Sequence, residues 1–192
     1  MTPDEIRTAT EDTRRWLERA VIGLNLCPFA KGVYTKQQVR YAVCMSDDPA
    51  VLLDDLRKEL LHLADADPEQ LDTTLLIAPR CLPDFLDFND FLNEADALLQ
   101  GLGLEGDYQV ADFHPRYQFG GTDVDDMGNF SNRAPYPTLH LLREDSIDRA
   151  VEAFPEAEAI FEQNIARLEQ IGPAGWQALD VGPHLGQQKD TP

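Results

Sequence analysis

Apolar residues recur at helical spacing through the start of the chain. Ile6, Ala9, Trp16, Leu17, Ala20, Val21 and Leu24 share one side, Thr2 and Glu5 form a capping box, and Pro3 suits the first helical position. The pattern predicts an amphipathic helix ending near Leu24. Val39, Tyr41, Val43 and Met45 then alternate with Arg40, Ala42 and Cys44, the period of a strand. Asp48 and Pro49 open a second helix with Leu52, Leu56, Leu60 and Leu63 on one side, and residues 73–78 read as a short apolar strand. A third helix follows Pro83 and Asp84. Its apolar face carries Phe85, Phe88, Phe91, Leu92, Ala95, Leu98 and Leu99, its solvated face Asp87, Asp90 and Glu94, and Gly101 and Gly103 stop it.

Alternation over residues 108–114 predicts a third strand with Tyr108, Val110, Asp112 and His114 on one face. A fourth, 138–143, places Thr138, His140 and Leu142 together. About 20 residues of turn chemistry separate the two, too many for a plain hairpin, and Tyr117, Phe119, Phe130 and Tyr136 are more aromatic than a solvated linker needs. The segment from Asp112 to His140 is therefore an ordered functional loop. Asp145 caps a short helix through Phe154, Pro155 opens the last helix, and residues 173–192 form a loosely ordered tail beyond a single globular domain, 1–172. These elements predict an α+β fold, a two-layer sandwich of a mixed sheet of about four strands with helices packed on it.

Composition changes the picture in two ways. With 16 Lys and Arg against 35 Asp and Glu, the net charge of −19 opposes nucleic acid and anionic membrane surfaces. No apolar run spans a bilayer, the first residues lack the basic and apolar regions of a signal peptide, and Cys27, Cys44 and Cys81 form no disulfide or metal-ligand spacing. A cytoplasmic protein with reduced thiols is the expectation. Oligomeric state and cofactor are not indicated.

Three groups of residues invite chemistry. Pro28 disfavours helical geometry at Cys27 and suits the start of a turn, so Cys27 falls at an N-cap where backbone N–H groups lower a thiol pKa; the competing reading is an inert core cysteine. His114, at a strand end, has Asp112 two residues back on the same face to orient it, and His140 joins them if the strands pair in register. Arg116 and Arg133 flank the long loop, where a guanidinium fits either an anion or a nearby Asp. Pro135 and Pro137 stiffen the run that presents Asn132, Arg133 and Tyr136. No metal site is marked: the run from Asp123 has Met127 and Ala134 where a calcium loop needs oxygen donors.

Four segments, Asn25 to Ala30 (NLCPFA), Asp84 to Leu92 (DFLDFNDFL), Gln109 to Phe119 (QVADFHPRYQF) and Asn132 to Glu144 (NRAPYPTLHLLRE), resemble domain-of-unknown-function family 1415 of bacteria. The resemblance runs from about Trp16 to Leu168 and implies a stand-alone bacterial cytoplasmic protein. It brings no activity or cofactor, and Ala134 stands where the family string usually has Ser. The residues themselves support an enzyme acting on a small anionic metabolite, with Cys27 as nucleophile, His114 as acid or base oriented by Asp112, and Arg116 and Arg133 as clamps. The alternative is a noncatalytic anion- or partner-binding domain built on the same loop, with Asn132, Tyr136 and His140 among its contacts.

Overall fold

The computed structural model describes residues 2–153 and 159–185, so the expected helix end at Phe154, the start at Pro155 and the last seven residues lie outside the described residues. Helix α1 (Pro3–Trp16) carries the predicted capping box, with the Thr2 side chain accepting from the Glu5 N–H. It runs on as a π-helical stretch, Leu17–Ile22. Here Gly23 is required, because a Cβ at that position would stand 2.2 Å from the Arg19 carbonyl oxygen. After a short helix α2 (Ala30–Thr35) come β1 (Val39–Val43), α3 (Pro49–Asp65), β2 (Thr73–Ile77), α4 (Phe85–Gly101), β3 (Tyr108–Phe113), a 3-10 turn (Met127–Asn132), β4 (Thr138–Arg143), α5 (Glu144–Ala153) and α6 (Ile160–Ala178). Among the described residues, no helix is long and apolar enough to cross a membrane.

The fold is α+β, with one open mixed sheet in the order β1-β2-β4-β3. β1 and β2 are parallel, which demands a crossover, and α3 supplies it. β4 returns antiparallel between β2 and β3. Where the sequence suggests two layers, helices lie against both faces. Leu52, Leu56, Leu60 and Leu63 of α3 and Phe88, Phe91 and Ala95 of α4 pack with Leu76, Leu139 and Leu141 on one face. Trp16, Leu17, Ala20 and Val21 pack with Leu75 on the other. The reason is legible in β2, TTLLI, buried at every position, which a sheet open on one side would not tolerate.

Two polar clasps lock the layers. Arg143, at the end of β4, donates to the carbonyls of Leu63 (2.5 Å), Ala66 (2.9 Å) and Leu71 (3.3 Å), and to the Tyr108 hydroxyl (2.9 Å), closing the C-terminal end of α3. Asp12, buried on α1, accepts from the Tyr136 hydroxyl (2.6 Å), the His184 N–H (2.7 Å) and Arg15 (2.6 Å), so helix, loop and C-terminal segment meet at one carboxylate. These hydrogen bonds outweigh the burial that would raise its pKa, which stays low. The segment expected as a tail is correspondingly held: the helix continues through Ala178 past a break at Gly172 (φ 59°), and Val181 is buried. Arg15 and Arg19 pin it by binding the carbonyls of Asp180 and Leu179.

Arg143→Met would remove the guanidinium donor from the carbonyls of Leu63, Ala66 and Leu71, leaving Leu63 only the Ala66 N–H. The expected loss is about 3 kcal/mol, read as a shift in the urea unfolding midpoint at unchanged slope.

Candidate functional site

Register decides which polar groups share a face. Ala111 pairs with His140 and Phe113 with Thr138, so His140 lies on the α1 side with Phe113, whose ring centroid is 5.9 Å away. His114 turns to the opposite side, between Phe85 (5.4 Å) and Phe88 (5.2 Å) of α4. Cys27 packs with the Trp16 and Leu75 cluster, again on the α1 side. Cys27 and His114 therefore stand on opposite faces of the sheet, and the structure brings neither His114 nor Asp112 to the thiol.

Each grouped residue has a defined environment. His114 is buried; its Nδ1 accepts from the Arg116 N–H (3.0 Å) and its Nε2 meets the Leu82 carbonyl (3.2 Å), which requires the neutral Nε2–H tautomer. Burial holds its pKa below the ordinary histidine value. Arg116 donates to the Pro83 carbonyl and to Asp84 (3.2 Å). Arg133 donates to the carbonyls of Tyr117 (3.2 Å) and Val124 (2.6 Å) and stacks 4.2 Å above the Phe130 ring. Asn132 donates to the Asp112 carbonyl (3.3 Å) and accepts from Ser131 (3.0 Å). Tyr136 serves Asp12. The arginines, Asn132 and Tyr136 hold the loop in place, and its centre is Asn129, buried, which accepts from the Phe119 N–H and Thr122 hydroxyl (both 2.9 Å) and donates to the Asp123 carbonyl (2.8 Å).

Cys27 lies three residues ahead of α2. Burial raises its pKa above the ordinary thiol value; the N–H groups of Phe29 and Ala30 pull the other way and do not overcome it. Asp112 is half-buried, and burial raises its pKa too. Among the described residues, no group of three or more His, Cys, Asp and Glu is placed to hold a metal ion.

Among the described residues, the His140 ring lacks a hydrogen-bond partner, as do the buried hydroxyls of Tyr41 and Thr74. His140 sits in the middle of the sheet in the row Tyr41, Leu75, His140, Ala111. Along β4, Leu139, Leu141 and Arg143 are buried on one face, while His140 and Leu142 on the other are only partly buried. Gln109, Ala111, Leu142 and His140 share this face of the sheet, and Phe113, against which Trp16 packs at 5.0 Å, lies on it too. No described residue hydrogen-bonds to the His140 ring or the Gln109 amide. Burial pulls the His140 pKa down to about 4, so the ring is neutral near pH 7. The π-helical stretch packs over this same face, and such stretches are frequent at functional sites. Alternation could have marked His140 as sheet-facing; Gln109, Ala111 and the π-helical stretch carried no sequence signal of a site.

Two measurements check these environments. Iodoacetamide should modify Cys27 slowly at pH 7.5, with an inflection above the reference thiol value of about 8.5, followed by peptide mass spectrometry. Because His140 and His114 titrate below the unfolded reference of 6.5, the unfolded chain binds their protons first. Stability is then full above that value and falls as pH drops from 6.5 toward about 4, and His140→Leu should flatten the slope in urea midpoints.

Comparison with known proteins adds one finding. No curated protein and no solved structure matches the chain. A family model described as "Protein of unknown function (DUF1415)" matches residues 8–178, and the chain belongs to that family.

Proposed function

We propose that this protein is a noncatalytic binding domain for a small uncharged molecule, received on the partly buried α1-side face of β4 and read by the His140 imidazole and the Gln109 amide. The observation that carries the reading is the unpartnered neutral His140, with the Gln109 amide, beside Ala111, Leu142 and Phe113 on one face of the sheet. Binding sites for small molecules combine apolar walls with a few unsatisfied polar groups. A neutral imidazole offers one donor and one acceptor, and an amide offers both, so a ligand with an adjacent donor and acceptor is matched without any charge. An anionic ligand has less support, since Arg116 is engaged by Pro83 and Asp84 ahead of α4 and Arg133 by carbonyls within the loop. Reduced thiols at all three cysteines suit a reducing compartment, and we place the protein in a bacterial cytoplasm.

A catalytic reading with Cys27 as nucleophile has one observation in its favour. The N–H groups of Phe29 and Ala30 face the sulfur and favour the thiolate. It ranks second because burial prevails at that thiol.

Ligand-observed NMR against uncharged lactams and carboxamides, with matched carboxylates and amines as comparison, tests the proposal. Uncharged compounds should bind the native protein at pH 7. Binding should weaken about tenfold in His140→Leu, the worth of one hydrogen bond to a buried group, and as His140 protonates near pH 4. Equal binding by His140→Leu, or preference for carboxylates, would overturn it.

A further inference from the structure

On the opposite face, at the free end of β3, stands a second unsatisfied group. Asp112 belongs to the side of β3 that α4 covers, paired across the ladder with the buried Leu139. Its carboxylate is half-buried, and among the described residues it receives a hydrogen bond only from its own backbone N–H. An ionised carboxylate withdrawn from water without a partner is costly, and proteins answer the cost with a counter-charge or a proton. The nearby basic groups do not supply one. Arg116 is bound to Pro83 and Asp84, Arg133 to Tyr117 and Val124, and His114 uses both of its nitrogens.

Aromatic rings occupy the same corner. Phe85, at the start of α4, lies 5.0 Å from Tyr117; Tyr117 lies 4.9 Å from Phe119, and Phe119 lies 6.0 Å from Phe161, which is 56% exposed. The rings thus run from the partly buried Phe85 at the edge of the core out to solvent. Ring faces attract cations, most strongly where water is partly excluded. Asp112 lies two residues before His114, whose ring stands 5.4 Å from Phe85, so the carboxylate and the rings share this side of the sheet, and its charge adds to burial in raising the Tyr117 hydroxyl pKa. A single carboxylate is too few ligands for a metal ion, whereas one carboxylate beside aromatic faces suits a cation with an apolar body. The net charge of −19 enriches cations around the molecule.

We propose that this corner binds an organic ammonium ion, its charge on the Asp112 carboxylate and its alkyl groups against Phe85 and Tyr117. The site lies across the sheet from His140, so it stands or falls independently of the reading above. The ammonium belongs to a free amine or to a lysine side chain, which offer the same chemistry.

The test is an amide-resolved NMR titration of the intact protein with n-butylammonium, butyltrimethylammonium, 1-butanol and butyrate. Both cations should bind at least five times more tightly than butanol, shifting residues around Asp112 and Tyr117, and butyrate should not bind. Asp112→Asn should reduce the cations to the level of butanol, and Tyr117→Leu should weaken the trimethylated probe more than the primary one. Acidifying the native protein until Asp112 protonates should abolish the cation preference without any substitution. Acetyl-lysine methylamide binding as tightly as butylammonium would assign the site to a side chain, and weaker binding would assign it to a free amine. Cations no better than butanol, or full cation affinity in a folded Asp112→Asn, would overturn the proposal. Removal of an uncompensated charge should also raise the thermal midpoint of Asp112→Asn at pH 7, with the gain vanishing in acid, where native Asp112 is protonated.

Discussion

The two-sided ladder of β4 is the constraint on which the rest of the molecule depends. β1, β2 and β3 run in one direction, and β4 enters antiparallel between the second and third. A chain that leaves β3 at one end must therefore return beside β3 from that same end while also meeting β2. The long loop satisfies this by folding on itself around Asn129, and the buried Asn129 amide does for the loop what a ladder does for a strand. The same insertion makes β4 a central strand, which is why a histidine in it stands in the middle of a sheet.

Burial on both faces follows from that order and sets the electrostatics of the interior. Arg143 reaches past the sheet to the end of α3, and Asp12 gathers Tyr136, Arg15 and His184 from three separate stretches. Both charges are fully occupied, as a charge removed from water must be. The loop arginines also bind within the protein, Arg133 to the Tyr117 and Val124 carbonyls of the loop and Arg116 to the Pro83 carbonyl ahead of α4. Their positive charge is spent on holding the backbone.

Beside the buried Tyr41 and Thr74 hydroxyls, which also lack partners, His140 and Asp112 stand apart as titratable groups. Each is partly buried, each has its pKa moved toward the neutral form by burial, and neither has a described side chain to bond with. They face opposite ways. The two proposals rest on this contrast, because a neutral imidazole with an amide on its face of the sheet and a carboxylate beside aromatic rings ask for ligands of different chemistry.

Much of the architecture was determined by local pattern. The capping box at Thr2, the leucine spacing of α3, the phenylalanine face of α4 and the alternation of β3 each specify an element through neighbours a few residues away, and the α+β class follows from their order. Local pattern also put Asp112 and His114 on one face of β3. Only tertiary structure decided the rest. Whether His140 joins His114 depends on register, and pairing with Ala111 sends it to the other side. Whether Cys27 is a reactive thiol depends on burial by helices and strands distant in sequence, which overrides the backbone N–H groups close to it. Whether an arginine clamps a ligand depends on which carbonyls lie within its reach, and those of Leu63, Pro83 and Val124 are brought there by folding alone. Spacing along the chain governs what a segment becomes; desolvation and partnership, which set its chemistry, are properties of the assembled whole.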